Sequence, residues 1–237
     1  MARTPIWRNI ADTLGAEIAG GHYRPGDRLP TEAELSARFG VNRHTVRQAL
    51  AHLAEAGTVR SRRGAGVFVT SRPTDYPLGR RVRFHQNIAA LGRQASRRLT
   101  RLETRAADAR EAEALALPAG AAVHVVEGVS LADGQPLAVF RSVFDAARFP
   151  SLAGELQRHQ SITAALKACG LADYTRAWTR ITAKLARPTM ALALEIREGA
   201  PILRSESVNV DGAGRPVEYG RTWFAGDRVS LTMAPEG

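Results

Sequence analysis

Residues 30–69 decide the fold. They read Pro30-Thr31-Glu32-Ala33-Glu34-Leu35-Ser36-Ala37-Arg38-Phe39, then Gly40-Val41-Asn42-Arg43-His44-Thr45-Val46-Arg47-Gln48-Ala49-Leu50, and finally Val59-Arg60-Ser61-Arg62-Arg63-Gly64-Ala65-Gly66-Val67-Phe68-Val69. Thr31 followed three residues on by Glu34 makes a capping box, in which hydroxyl and carboxylate each satisfy a backbone N–H at the helix start. Gly40 suits the left-handed conformation that ends a helix, and Asn42 is a good cap for the next. The spacing therefore predicts a helix from Thr31 to Phe39 and a second from Asn42 to Ala56. In the second, Val46, Ala49, Leu50 and Leu53 form a buried stripe, which leaves Arg43, His44 and Arg47 on the outward side. With the basic hairpin that follows, the pattern is a helix-turn-helix with a wing.

Two Arg and one His on a helix face are, taken alone, an ordinary solvated surface, and the hairpin alone is an ordinary tight turn. The ordered set points instead to double-stranded DNA. A recognition helix enters the major groove by its N-terminal end, where Arg can bond a guanine edge or a phosphate and the helix's positive end favours a phosphate. Gly64 and Gly66 let backbone approach another surface closely, and Arg60, Arg62 and Arg63 surround them with charge suited to phosphate or to a narrow minor groove.

The charge distribution agrees. The formal net charge of +10 over 237 residues divides into +4 for residues 1–75, +7 for residues 76–105 and −1 for residues 106–237. Basic character confined to one end is expected of a chain whose one end meets a polyanion. The single cysteine, Cys169, excludes an intramolecular disulfide and fits a reducing compartment. No apolar run approaches a membrane span and no leader-like segment opens the chain, so a cytoplasmic location is expected, with no membrane partner.

Along the chain, Ile6, Ile10, Leu14 and Ile18 recur every four positions and predict a helix over residues 5–20 that packs on the helix-turn-helix pair. Gly20-Gly21 ends it. Residues 70–79, with Ser71, Pro73, Pro77 and Gly79 and no apolar period, read as a linker between a DNA-binding domain at 1–69 and a second domain at 80–237. The basic and aromatic stretch Arg80 to Asn87 is open to two readings. It is either a solvated segment touching DNA phosphate or a segment whose Arg83 and Phe84 fold back to line an anion pocket.

The second domain carries an internal duplication. Ala114-Leu115-Ala116-Leu117, Glu127-Gly128-Val129, Asp133-Gly134 and Phe140-Arg141-Ser142 are echoed by Ala191-Leu192-Ala193-Leu194, Glu206-Ser207-Val208, Asp211-Gly212 and Gly220-Arg221-Thr222, at an offset of about 77 to 80 residues. Each copy reads as a short helix followed by two strands joined at an Asp-Gly turn. A helix from Ser161 to Cys169 and a strand from Tyr174 to Ala186 lie between them. The sum is an antiparallel sheet carrying helices, an α+β domain. Arg141 alternates with Val139 and Val143, and Arg221 with Tyr219 and Trp223, so each shares a face with apolar neighbours, where a charge must be paired. Either they bridge internally to Glu127, Glu206 or Glu218, or at least one holds an anionic ligand through its planar fork.

The run Tyr23 to Leu35, the run Val41 to Leu50 and the hairpin Gly64-Ala65-Gly66-Val67-Phe68-Val69 together resemble the N-terminal domain of GntR-family bacterial transcription regulators, with Val67 where many members carry Thr. Residues 80–235 resemble the ligand-sensing domain, called UTRA, of that family's HutC branch, whose fold is that of chorismate lyase. The matching signs are Phe140-Arg141-Ser142, Phe149-Pro150-Ser151-Leu152, Pro216-Val217-Glu218-Tyr219-Gly220-Arg221 and Gly226-Asp227-Arg228. Within the branch, Arg80 to Asn87 resembles the opening of the sensing domain in regulators of phosphonate uptake and breakdown, the PhnF group.

The resemblance implies a repressor that binds two-fold symmetric operator DNA as a homodimer, reads it with Thr31, Glu32, Asn42, Arg43, His44, Thr45, Arg47, Arg62, Arg63, Gly64 and Gly66, and answers to a small anionic effector. It also implies pocket roles for Arg141, Ser161, Glu218 and Tyr219, to which the reading above adds Arg83, Phe84 and Arg221. A phosphonate or phosphorylated effector is expected, with a phosphosugar or urocanate as alternatives. An enzyme of chorismate-lyase-like fold is the rival class. The six histidines show no metal-ligand spacing, and neither a nucleophile elbow nor a P-loop nor a dinucleotide fingerprint occurs, so no catalytic residue, metal or cofactor is expected.

Overall fold

The Thr31 hydroxyl accepts the Glu34 N–H at 3.3 Å while Glu34 accepts the Thr31 N–H at 2.7 Å, so the capping box sets the start of α2, Glu32–Phe39. Gly40, with φ 63°, ends it. The Asn42 side chain accepts the Thr45 N–H at 2.9 Å and starts α3, Arg43–Glu55. The computed structural model describes residues 5–62, 64–70, 73–159 and 161–233, with Arg62 described by its backbone alone. The chain divides into two compact units, Met1–Arg72 and Pro73–Gly237.

In the first unit α1, Ile6–Ala19, packs with α2 and α3 around Ile10, Leu14, Leu35, Val46, Ala49, Leu50 and Leu53. The stripe on α1 holds only in its middle. Ile10 and Leu14 are buried, but Ile6 is 62% exposed and Ala11 is buried instead. A step of four residues overshoots one turn by about 40°, so three steps carry a stripe about 120° around the helix. The wing is β1, Val59–Arg62, paired antiparallel with β2, Gly66–Val69. Residues 26–29 run alongside, with the Leu29 N–H donating to the Val67 carbonyl and the Val69 N–H to that of Asp27.

The second unit is built on a six-stranded antiparallel sheet. Its strands are β4, Ala95–Ala106; β5, Ala122–Ala132; β6, Gln135–Asp145; β7, Thr175–Leu185; β8, Pro201–Val210; and β9, Pro216–Ala225, in the order β4-β5-β6-β9-β8-β7. The helix α5, Ala109–Leu115, follows β4 and α8, Pro188–Leu194, follows β7. Each copy of the duplication is therefore strand-helix-strand-strand, one strand larger than its sequence landmarks, and the two copies meet at β6 and β9. Ala116 and Glu195, the equivalent residues that end α5 and α8, both take left-handed φ values, 53° and 52°.

α5 and α8 pack on one face of the sheet. The other face carries α4, Phe84–Ala90, together with α6, Leu152–His159, and α7, Ile162–Ala168. A two-stranded parallel pair, β3 (Thr74–Pro77) with β10 (Val229–Thr232), closes the edge of that layer. The expected linker at 70–79 is thus shortened. Thr74 and Tyr76 alternate inward and are buried, so these residues are a strand of the second unit despite their prolines and polar neighbours.

On the α5 face a buried carboxylate ties the first copy together. Glu111, with a side chain 1% exposed, accepts two hydrogen bonds from Arg105 at 2.7 Å, one from Arg141 at 2.8 Å and the Asp108 N–H at 3.0 Å. Burial alone raises its pKa, but the Arg105 hydrogen bonds, the Asp108 amide and the two guanidinium charges outweigh that and bring it to about 2. With the folded value below the ordinary 4.5, the stabilisation is complete above the unfolded pKa and is lost as pH falls through the folded one. We expect Glu111→Gln to lower the unfolding free energy at neutral pH by roughly 3 kcal/mol, and by much less near about pH 2. Denaturant unfolding at the two pH values checks this, and an equal loss at both would detach Glu111 from acid sensitivity.

Candidate functional site

On the first unit, α2 and α3 bring together the residues expected to face DNA. Arg43, His44 and Arg47 are exposed along the first turns of α3, and Gln48, one turn on from His44, joins them. The Arg47 guanidinium is held by Glu32, with Nη2 to Oε2 at 3.0 Å and Nε to Oε1 at 3.3 Å. That hydrogen bond, then the Arg47, Arg43 and His44 charges, keeps the Glu32 carboxyl below its ordinary value. Thr31 and Asn42 spend their side chains as helix caps, and the Thr45 hydroxyl donates to Asn42 at 2.9 Å. Among the described residues, the side-chain donors left to this surface are those of Arg43, His44 and Gln48 and the Nη1 of Arg47.

In the wing, Gly64 has φ 76° and open space where a side chain would begin. Gly66, with φ 110°, is different, because a Cβ there would sit 2.7 Å from the Arg28 Nε. The Arg28 side chain can give way, so it is the left-handed backbone that favours glycine at Gly66. Arg63 and the side chain of Arg62 lie outside the described residues.

The second unit holds a cavity of about 70 Å³ on the α7 side of the sheet. By that measure one water needs ~10–15 Å³, so the space fits a group of several heavy atoms. Of the residues expected there, Arg83, Phe84, Ser161 and Glu218 line it. Arg141, Tyr219 and Arg221 do not. They lie on the opposite face of the sheet, where Arg141 pairs with Glu111 and Glu127, Tyr219 donates to Glu206, and Arg221 bonds the Tyr219 hydroxyl. Alternation along β6 and β9 placed these residues together correctly. It did not reveal which face holds the cavity, because helices cover both faces.

Besides Arg83, which is paired with Asp173, the cations facing the cavity are Arg97 on β4 and Arg176 on β7. They occupy equivalent positions in the two copies, opposite Ser130 and Asn209 respectively. Arg176 bonds Asn209 at 2.8 Å and Thr179 at 3.1 Å. Arg97 makes no ion pair or hydrogen bond among the described residues, and its Nε is buried without a partner. Its guanidinium lies 4.5 Å from the Phe140 ring centroid and 5.5 Å from that of Phe84. Burial lowers the pKa of both arginines. Around them stand hydroxyls of Ser142, Ser205, Ser207 and Thr222 and the carboxylate of Glu218. That carboxylate is oriented by Ser142 at 2.5 Å and Asn209 at 2.7 Å.

A winged helix-turn-helix joined to an α+β unit with a cation-lined cavity defines the class of two-domain DNA-binding transcription regulators. Residues 7–69 match the family of bacterial regulatory proteins, gntR family, and residues 90–230 match the UTRA domain. The chain belongs to the GntR family, in its HutC-type branch. It is 41% identical to a helix-turn-helix-type transcriptional regulator of Rhizobium meliloti over 96% of this chain and 94% of that one. It is 35% identical to PhnF of Escherichia coli, again over 96% and 94%. Among solved structures, PhnF from Mycobacterium smegmatis superposes with a TM-score of 0.66 at 28% identity, covering 97% of this chain and 99% of that one.

A half-buried guanidinium with no hydrogen-bonded anion weakens the free protein, since the Glu218 charge across the cavity repays its desolvation only in part. Cation–π contact returns about 0.5–2 kcal/mol of it. Arg97→Met should therefore leave the ligand-free protein as stable as the parent, or up to about 2 kcal/mol more stable. Denaturant unfolding in phosphate-free buffer measures it. A loss above about 1 kcal/mol would mean that Arg97 is a structural cation.

Proposed function

We propose that the protein is a cytoplasmic repressor that binds two-fold symmetric operator DNA as a homodimer and is retuned by a small anionic effector, a phosphonate or phosphorylated metabolite. The observation that carries the effector class is Arg97. It faces the same cavity as its equivalent Arg176 and makes no ion pair or hydrogen bond among the described residues. Planar guanidinium forks ringed by hydroxyls suit a phosphonate or phosphate group, and the small cavity favours a compact headgroup over a hexose phosphate. Glu218 supplies an acceptor for a donor group on the same ligand. The likeness to PhnF proteins supports the phosphonate reading, and a phosphosugar or urocanate is the alternative.

On the DNA side, Arg43, His44, Arg47 and Gln48 are the reading residues, with Glu32 holding Arg47. Thr31, Asn42 and Thr45 act through the backbone they cap, and the wing at Gly64 reaches the minor groove. Effector binding alters DNA affinity only through differential affinity for the two states.

Two measurements test this. Duplexes selected by the protein from a randomised pool should contain paired inverted half-sites, and changing Arg43 and Arg47 together to Ala should abolish binding with the fold intact. An Arg removed from a phosphate should also reduce the salt slope by about 1. Retained affinity in the double variant would overturn the DNA assignment.

For the effector, thermal unfolding against methylphosphonate, aminoethylphosphonate, phosphate, glucosamine phosphate and urocanate should show a rise with a phosphonate that disappears in Arg97→Met and Arg176→Met. Saturation at a hundredfold excess over Kd corresponds to about 2.7 kcal/mol. A rise with urocanate or the sugar phosphate alone would discard the phosphonate.

A further inference from the structure

On the face of the sheet away from that cavity lies a second, larger one of about 390 Å³. Lys184, Arg187 and Arg204 line it, around a surface of Met190, Ile202 and Trp223, and no carboxylate is among the residues lining it. Ile202 is buried, Met190 and Trp223 are half-buried, and Lys184 and Arg187 are exposed at the mouth. The Arg204 Nε is buried without a hydrogen-bond partner, and its nearest carboxylate, Glu206, is 3.9 Å away.

The duplication shows what such a place holds when it is filled. The helices α5 and α8 begin and end at equivalent residues, and Arg105 opposite Val123 matches Lys184 opposite Ile202. In the first copy, Arg105 is neutralised by Glu111, which rises from α5 next to the Asp108 cap. In the second copy the residue equivalent to Glu111 is Met190 and the one equivalent to Asp108 is Arg187. Val125 and Val143, buried in the first copy, become Arg204 and Trp223. So two acids are lost, two cations and an aromatic ring are gained while Thr189 replaces the cation Arg110, and a cavity opens where the first copy carries an internal carboxylate.

We propose that this cavity is a second small-molecule site, which takes an organic carboxylate with an apolar body. The carboxylate sits among Lys184, Arg187 and Arg204, as Glu111 sits on Arg105 in the first copy, and the body lies against Met190, Ile202 and Trp223. Charge-assisted hydrogen bonds fix the head, and apolar burial holds the remainder. The site is separate from the Arg97 cavity and does not depend on the effector assigned to it.

The test uses the full-length protein with benzoate as probe and benzyl alcohol as the uncharged control, followed by calorimetry and by tryptophan fluorescence in a Trp7→Phe, Trp178→Phe background that leaves Trp223 as the reporter. Benzoate should bind saturably and the alcohol should not. Lys184→Met should weaken benzoate binding by about tenfold or more. Met190→Glu, which restores the carboxylate of the first copy, should abolish it, whereas Arg97→Met should leave it unchanged. Absence of saturable binding, or indifference to both Lys184→Met and Met190→Glu, would overturn the proposal. Loss of benzoate binding in Arg97→Met would place the probe in the other cavity and overturn it equally.

Discussion

A guanidinium withdrawn from water needs an anion within hydrogen-bond reach, and the two faces of the six-stranded sheet meet that need in opposite ways. On the α5 and α8 face, Arg101, Glu127, Arg141, Arg221, Glu206 and Arg180 stand opposite one another across all six strands. Like charges directly opposite, as at Arg141 and Arg221, destabilise a sheet. Here they are separated electrically by Glu111 and Glu127 on one side and Glu206 with Tyr219 on the other. On the other face Arg97 and Arg176 line a cavity, and among the described residues Arg176 alone of the two has hydrogen-bonding neighbours. The first arrangement contributes stability. The second gives some up in exchange for a place to bind.

Duplication explains why the cations converge. The two copies join along β6 and β9, so equivalent residues are related across the centre of the sheet, and a cavity there is lined twice by each position. Arg97 and Arg176 are one such pair, and Ser142 and Thr222, on the two central strands, are another. Divergence between the copies then makes the cavity directional. Glu218 and Asn209 in the second copy stand where the first has Ala138 and Ser130, which places an acceptor on one side only. A duplicated sheet thus starts with paired donors and acquires an asymmetric ligand preference by substitution at its equivalent positions.

The N-terminal unit was legible in the sequence almost residue by residue, because caps and turns are local signals. Thr31, Glu34, Gly40 and Asn42 each act within four residues of themselves. The duplication was legible for a related reason, since Asp-Gly turns and short helices leave landmarks. What stayed hidden required knowledge of which sheet face a side chain meets. Arg141 and Arg221 alternate with apolar residues as expected, yet helices cover both faces and the pattern alone does not rank them. Arg97 was passed over because β4, with Arg97, Arg98, Arg101 and Arg105, reads as a solvated basic run. Extending the repeat by one strand upstream would have found it, since Arg97 and Arg176 match at the offset that relates α5 to α8. Thr74–Pro77 was hidden by its composition, since two prolines and an acid surround the inward-facing Thr74 and Tyr76.

Where the cavity draws its walls bears on how a signal leaves it. Its lining comes from the sheet, from the start of α7 at Ser161 to Thr163, and from Tyr76, Leu78 and Val82 to His85. That last segment begins a few residues after the boundary between the two units at Arg72 and Pro73. An anion of the proposed kind, seated on Arg97 and Arg176, would add to the Glu218 carboxylate in offsetting these two cations and would meet their neighbours in the lining. Among them are Arg83, tied to Asp173, and His85, whose pKa is depressed by burial and by the Arg97 charge. On the proposed reading, part of such a ligand's binding energy would go into the contacts of this stretch, which leads toward the first unit. Only the part of that energy that differs between two arrangements of the stretch can shift their populations.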